Sequence, residues 1–268
     1  FKLQNLHLPQ IRNSDHVYSI RDGVIRGLTS NSKLSGVLGD SHAALFAHAG
    51  WLPGRVKATY GTGSSVMALS NSSELKNGIC TTIAWKDKDG IAHAAEGNIL
   101  SSGSTLNWLA NLLNIEVSKL FEIASQESSN LNLIPAFNGL GAPWWDENAS
   151  ALIDGLTFSV KVEDLASAAI DSIALQVTDV INAMRSNNIE IKNIKVDGGA
   201  SKSLNLMQRQ ANFANADILV SEISELSAIG AAFMSGISIN IWTKLDIENF
   251  AHENIKLSPA MSEESRVS

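Results

Sequence analysis

The sequence predicts an α/β fold in which helices cross over a sheet. Short apolar runs of strand length alternate with longer helical patterns through its second half, and glycine turns separate them. Of the 268 residues, 44% are hydrophobic, enough to bury a substantial core as one large or two smaller domains. Three glycine segments recur far apart, each beside an apolar run: Gly39-Asp40, Tyr60-Gly61-Thr62-Gly63 and Asp197-Gly198-Gly199-Ala200. Turns of this kind let backbone amides approach an anion, and the first adds a carboxylate able to handle a proton. Together they point to phosphoryl transfer.

Residues 1–35 mix Pro, Asn and Ser with short apolar pieces and read as loops between small elements. Leu34-Ser35-Gly36-Val37-Leu38 is a short candidate strand ending at Gly39-Asp40, and the Ala-rich stretch Ser41 to His48 reads as helix. Pro53-Gly54 marks a turn. Val56 to Tyr60 and Ser65 to Leu69 flank Gly61-Thr62-Gly63 as strand, tight turn and strand, and a second strand pair is expected around Ile79–Trp85 and Ile91–Glu96.

Ser104 to Leu113 has Leu106, Leu109, Leu112 and Leu113 near one helical face, and its start at Gly103 would place backbone amides beside a ligand. Glu163 to Met184 is the strongest helical pattern. Leu165, Ala168, Ala169, Ser172, Leu175, Gln176, Asp179 and Val180 form its predicted packing stripe. Ile194 to Asp197 is a strand, Leu204 to Asn215 a helix, Ile218 to Val220 a strand and Leu226 to Ile237 a helix. After Trp242 the chain is expected to be polar and irregular, a linker or a cut edge.

Twenty Lys and Arg against 27 Asp and Glu give a formal charge of −7, with no basic stripe to track a nucleic-acid backbone. Cys80 is the sole cysteine, which rules out an intrachain disulfide and a multi-thiolate zinc site and is compatible with a reducing cytoplasm. The first residues lack a leader-like pattern, and no apolar run reaches transmembrane length. The chain begins at Phe1 and not at Met, which, with the arrangement of motifs, reads as a fragment or a processed chain.

Asp40 is the candidate general base, since a carboxylate near an acceptor hydroxyl can take its proton as the oxygen attacks phosphorus. Its structural alternative is to cap the helix that follows. Thr62, between Gly61 and Gly63, offers a hydroxyl and little bulk to a phosphate; an ordinary hairpin turn is the alternative. In Asp197-Gly198-Gly199-Ala200, Gly199 could make space for a base or ribose and Asp197 could orient the turn or act through a cation, against a plain strand-to-helix connection. His42, His48 and His93 show no zinc-ligand spacing and are expected to be satisfied polar residues, and Cys80 a packed or surface thiol. Trp144-Trp145 is expected to anchor a loop more than to stack on a ligand.

These residues resemble, in order, the carbohydrate-kinase family that includes glycerol, xylulose, ribulose and gluconate kinases. Leu38 to Ala44 is similar to its catalytic-aspartate segment, and Tyr60 to Gly63 to its phosphate loop. Glu96 to Trp108, Pro135 to Trp145, Ile153 to Asp171, Asp197 to Ala200 and Ser227 to Ala232 extend the resemblance across roughly positions 34–242.

It implies an actin-like ATPase (ribonuclease H-like) fold, mostly the second of two domains. Residues 1–55 would be the remnant of an amino-terminal substrate-binding domain, 56–244 the carboxy-terminal nucleotide-binding domain, and 245–268 a polar tail or truncated end. By the same resemblance Asp40 is the base, Gly61, Thr62 and Gly63 hold phosphate, and Gly103, Gly198, Gly199 and Ala200 lie on the nucleotide side. Ser203 stands where some members place an adenine-contacting Asn. ATP and Mg²⁺ are the implied cofactors, with metal ligands and sugar contacts expected upstream of Phe1, so that the chain by itself is catalytically incomplete. The implied partners are a small sugar or polyol and the missing amino-terminal domain, with room for a homodimer and with neither nucleic acid nor membrane. Ser41-His42 after Asp40, and Ser65 after the loop, replace the Gln-Gln and Phe frequent in glycerol kinases, a more polar pattern that favours a ketopentose, xylulose first. Glycerol kinase is the enzymatic alternative, and a non-catalytic nucleotide-binding regulatory protein is the other.

Overall fold

A computed structural model describes residues 9–125, 130–223, 225–250 and 254–263. Phe1 to Leu8 and Glu264 to Ser268, at the two ends of the expected domain scheme, lie outside the described residues. In chain order the elements are β1 (Tyr18–Ser19), β2 (Lys33–Leu34), α1 (Asp40–Ala47), β3 (Arg55–Tyr60), β4 (Ser64–Ser70), β5 (Cys80–Asp87), β6 (Gly90–Ile99), α2 (Gly103–Leu113) and α3 (Val117–Ile123). Then follow β7 (Asn132–Ile134), β8 (Leu152–Asp154), α4 (Val162–Ser186), β9 (Asn193–Asp197), a 3-10 turn (Ala200–Lys202), α5 (Leu204–Ala214), β10 (Asp217–Ser221), α6 (Leu226–Ser238), α7 (Lys244–Glu248) and β11 (Asn254–Leu257).

Among the described residues the central sheet has seven strands in the order β11-β10-β9-β3-β4-β6-β5. The block β3, β4, β6 and β5 is antiparallel, as direct hairpins allow, whereas β9 and β10 run parallel to β3 and to each other, their crossovers made by α4 and α5. Strand alternation divides the side chains between two faces. Val56, Ala58 and Tyr60 of β3, Val66 and Ala68 of β4, and Ile194 and Val196 of β9 join the core formed with α2, α4 and α5. The opposite face carries Met67 and Ala94 into a smaller core with Leu45 and Phe46 of α1 and Phe233 and Met234 of α6.

Three expectations change. Leu34 to Leu38 is no strand: β2 ends at Leu34, and Gly36 takes a φ of 71° against α6, where a Cβ would stand 2.4 Å from Ser235 N. In α4 the burial is wider than the predicted stripe. Ile170, Ile173, Val177, Ile181 and Met184 are buried, while Leu175 is 44% exposed, because the helix is enclosed on several sides. The stretch after Trp242 is not irregular throughout, since α7 forms behind a Thr243–Asp246 capping box and β11 pairs antiparallel with β10.

The floor of the β3–β4 hairpin is held from below. Tyr60 is fully buried, and its hydroxyl donates to Gln210 Oε1 at 2.8 Å, while Gln210 Nε2 donates to Thr178 Oγ1 at 3.1 Å. Burial drives the Tyr60 phenol well above its usual pKa, so it remains a donor. Tyr60→Phe leaves Gln210 Oε1 buried without this donor and should cost about 1–3 kcal/mol in a denaturant-unfolding measurement. An unchanged midpoint would show that the chain from Tyr60 to Thr178 carries no stability.

Candidate functional site

Two of the three glycine segments meet at one end of the sheet, and the first approaches them through Ser41. Gly61 N donates to Gly63 O at 2.9 Å, closing the hairpin on itself, and the start of α2 closes over it: Ser102 N and Ser104 N each donate to Thr62 O, and Gly103 N to Gly61 O, all at 3.0 Å. That approach needs the absence of a side chain, because a Cβ on Gly103 would lie 2.5 Å from Gly61 O. The other flank is Gly198, with a φ of 95° and a Cβ position 2.4 Å from Tyr60 O. Thus Gly61, Thr62, Gly63, Gly103 and Gly198, scattered over more than a hundred positions, form one surface.

Gly199 has a helical backbone, and a Cβ built on it meets open space. Ala200 opens the 3-10 turn, and Ser203 caps α5, its Oγ accepting from Leu206 N at 3.3 Å. The Ser203 side chain is therefore engaged in a structural contact, and neither it, Gly199 nor Ala200 lines the cavity beside the hairpin.

That cavity, about 260 Å³, is lined by Ser41, Thr59, Gly61, Gly63, Ser64, Ser65, Asn98 and Ile99. Asp40 is the first residue of α1, with Gly39 in the capping position, and makes no side-chain cap; its Oδ1 accepts from Ser41 N at 2.6 Å. The backbone of Asp40 is fastened to α6 by Ser227, whose hydroxyl donates to Asp40 O at 2.9 Å. Asp40 itself does not line the cavity; its neighbour Ser41 does. Thr59, Ser65 and Asn98 escaped the sequence reading as a set. They are register partners across β3, β4 and β6, an adjacency that only strand pairing creates.

Beneath them lies a buried charged layer. His48 Nε2 and Asp197 Oδ2 are 3.4 Å apart and nearly inaccessible. Burial lowers the His48 pKa more than the Asp197 hydrogen bond and charge raise it, so the ring is neutral and donates from Nε2–H. Burial by itself would raise the Asp197 carboxyl, but hydrogen bonds from His48 and Thr59 and the charge of Lys57 hold it below the usual value. Lys195 is pushed down to about 8 by burial and by Arg55. His42 contacts Thr82 at 3.2 Å, so it and His48 are partnered polar residues, as expected. Cys80 is an exposed free thiol. Trp144 and Trp145 are half exposed, yet each indole anchors its loop, donating to Asp179 Oδ2 at 3.2 Å and to Gly78 O at 2.7 Å.

Among the described residues no three His, Cys, Asp or Glu side chains form a metal-holding group, and no helix is long and apolar enough to cross a membrane.

A hairpin loop, a helix start and a strand-end glycine turn packed together at one end of a mixed sheet belong to an actin-like ATPase fold, of which the chain is the C-terminal domain. The description "FGGY family of carbohydrate kinases, C-terminal domain" matches residues 56–239, and the chain belongs to that family. It is 36% identical over 267 residues to a glycerol kinase of Caldanaerobacter subterraneus and 38% over 269 residues to one of Azotobacter vinelandii, in each case over 97% of this chain and 53% of the relative. The chain therefore spans about half the length of the curated relatives it matches. Plasmodium falciparum glycerol kinase with ADP superimposes with a TM-score of 0.84 at 28% identity, over 95% of this chain and 53% of that one. Ligand-bound xylulose kinase from Lactobacillus acidophilus does so with 0.84 at 20% identity, over 94% and 53%. At that identity the likeness speaks for the fold alone.

Two glycines separate packing from ligand contact. Gly198→Ala should lose about 1–3 kcal/mol of stability, because it places a Cβ on a left-handed backbone against Tyr60. Gly199→Ala should stay within about 0.5 kcal/mol of the parent. Any weakening of nucleotide binding by the second variant then reports a ligand at Gly199, and unchanged binding in titration calorimetry removes Gly199 from the site.

The His48 contact has a signed pH dependence. The unfolded chain takes up a proton near 6.5 that the buried ring resists, so this contribution to stability is complete above 6.5 and lost as pH falls through the lower folded value. His48→Gln should flatten the fall in melting temperature between about pH 7 and pH 5, and an equally steep fall would exclude His48 as its source.

Proposed function

We propose that the complete protein transfers the γ-phosphoryl group of ATP to a hydroxyl of a small polyol, with glycerol as the first acceptor. The observation that carries this is the cavity between Ser41, next to Asp40, and the Gly61-Thr62-Gly63 turn. The acceptor oxygen would bond to γ-phosphorus as the bond from that phosphorus to the β–γ bridging oxygen breaks. ADP leaves with the electron pair, and the hydroxyl proton passes to Asp40. Thr62 and neighbouring amides would hold phosphate oxygens, with Gly103, Gly198, Gly199 and Ala200 on the nucleotide side and Ser203 capping the helix behind them. Mg²⁺ would offset phosphate charge when bound, and no residue of the described chain is assigned to it. Residues 1–55 would complete a substrate-binding domain and 56–244 the nucleotide-binding one.

The relatives redirect the choice of acceptor. A ketopentose, xylulose first, is the expectation from Ser41-His42 and Ser65, yet the curated relatives at 36–38% identity are glycerol kinases. One observation favours a second reading with a longer, more hydroxylated acceptor: Ser65 lines the cavity, and its Oγ is buried with no hydrogen-bond partner. A hydroxyl in that state is satisfied by a ligand able to exchange hydrogen bonds with it.

Phosphate transfer by the complete protein to glycerol, xylulose, ribulose and gluconate tests both. Glycerol should show the largest kcat/KM, and a clear lead for a pentose would transfer the assignment to the second reading. Asp40→Asn should lower kcat by about 10²–10⁴-fold. Nucleotide binding without transfer to any acceptor, together with an inert Asp40→Asn, would favour a regulatory role.

A further inference from the structure

Among the described residues, the most deeply buried cation is one that neither the fold nor the proposed chemistry uses. Lys57 lies at the centre of β3 and is 1% exposed. None of the ion pairs among the described residues includes it. Asp197, Glu96 and Asp40 act on it from β9, β6 and the start of α1, all at longer range. Asp197, the strongest of them, already accepts from His48 and Thr59. Lys195, the β9 register partner of Lys57, adds another buried cation beside it, and Met67, its β4 partner, is apolar. A buried ammonium in such a setting is poorly compensated within the chain.

Its position gives the charge a direction. Alternation puts Lys57 on the same face of β3 as Thr59, about 7 Å further along the strand, and Thr59 lines the cavity between Ser41 and the glycine hairpin. Lys57 is thus one row behind the cavity floor, shielded from water and on the side of the sheet that faces Asp40. An anion entering the cavity would supply the compensation that the folded chain lacks.

We propose that Lys57 is a positioning residue for phosphoryl transfer, a fixed positive charge behind Thr59 that steadies the transferring phosphoryl group as its bond to ADP breaks and its bond to the acceptor oxygen forms. The inference rests on the kinase reading above. It asks no proton of Lys57 and moves none; Asp40 keeps that part. Burial lowers the Lys57 pKa, so its contribution is present below that pKa and fades as pH rises through it, in a field shared with Asp197, Glu96, Asp40, His48, Lys195, Arg55 and, through Arg55, Glu248.

Lys57→Met in the complete protein keeps an unbranched side chain, one heavy atom shorter, and removes the charge. The probe is ADP with aluminium fluoride, a mimic of the phosphoryl group in transit, measured against ADP alone. Lys57→Met should weaken the mimic by about 30-fold or more while ADP alone shifts by less than about twofold, and kcat should fall with little change in acceptor KM. The parent should lose activity on the basic side of its pH profile. Lys57→Met should lose that limb and Lys195→Met keep it. Lys57→Gln, scored the same way, serves if Lys57→Met fails to fold. Equal binding of the mimic by parent and variant, or an equal loss for ADP alone, overturns the proposal. A parent that binds the mimic through Lys57 yet phosphorylates none of the acceptors sinks the kinase reading while leaving the buried charge as an anion-steadying group.

Discussion

The site depends on the near-contact of three backbone segments at the ends of β3 and β9. Gly103 comes down on Gly61 O, Gly198 abuts Tyr60 O, and a Cβ on Gly63 would stand 2.3 Å from Ile99 O. No residue with a side chain fits these separations without displacing main chain, whose neighbours are fixed by sheet and helix hydrogen bonds. The hairpin is therefore a rigid wall, tied to the helix start above it by Thr62 O and to the core below it through Tyr60, Gln210 and Thr178. A wall of this kind suits phosphoryl transfer, in which the protein contributes position and electrostatics more than covalent chemistry.

The same strand serves two environments because its side chains alternate. Val56, Ala58 and Tyr60 enter the larger core, and Arg55, Lys57 and Thr59 face α1 and the cavity. On the second face, charge is buried and compensated unevenly: Asp197 is satisfied by His48 and Thr59, while Lys57 is balanced only at a distance. The His48–Asp197 contact also ties the end of α1, whose start carries Asp40, to the turn that begins at Gly198. The candidate base and the Gly198 turn are parts of one packed unit.

Much of this architecture is legible along the chain. Strand, turn and strand around Gly61 to Gly63, the helix opening at Gly103 and the strand before Gly198 follow from local period and turn chemistry, and the observed ends differ by a residue or two. Local signals mislead where a distant element intervenes. The apolar run Leu34 to Leu38 has strand composition, but Gly36 must turn to fit against Ser235 of α6. Leu175 belongs to the helical stripe by period, yet the stripe that matters is set by what encloses α4. Asn254–Leu257 reads as polar tail because its strand character comes from the exposed edge of β10.

What the order of amino acids settles by itself is the alternation of strands and helices, the succession of glycine turns that marks the kinase family, and Asp40 at the start of a helix. Those depend on residues a few positions apart, whose steric and hydrogen-bonding preferences act within a turn or a strand. The cavity shared by Ser41, Thr59, Ser65 and Asn98, the neutral His48 against an ionised Asp197, and the burial of Lys57 are decided by tertiary structure alone. His48 and Asp197 are separated by 149 positions, and Lys57 meets Lys195 only through pairing of β3 with β9. Desolvation and Coulomb interaction depend on distance in space, which the chain acquires only when the sheet closes.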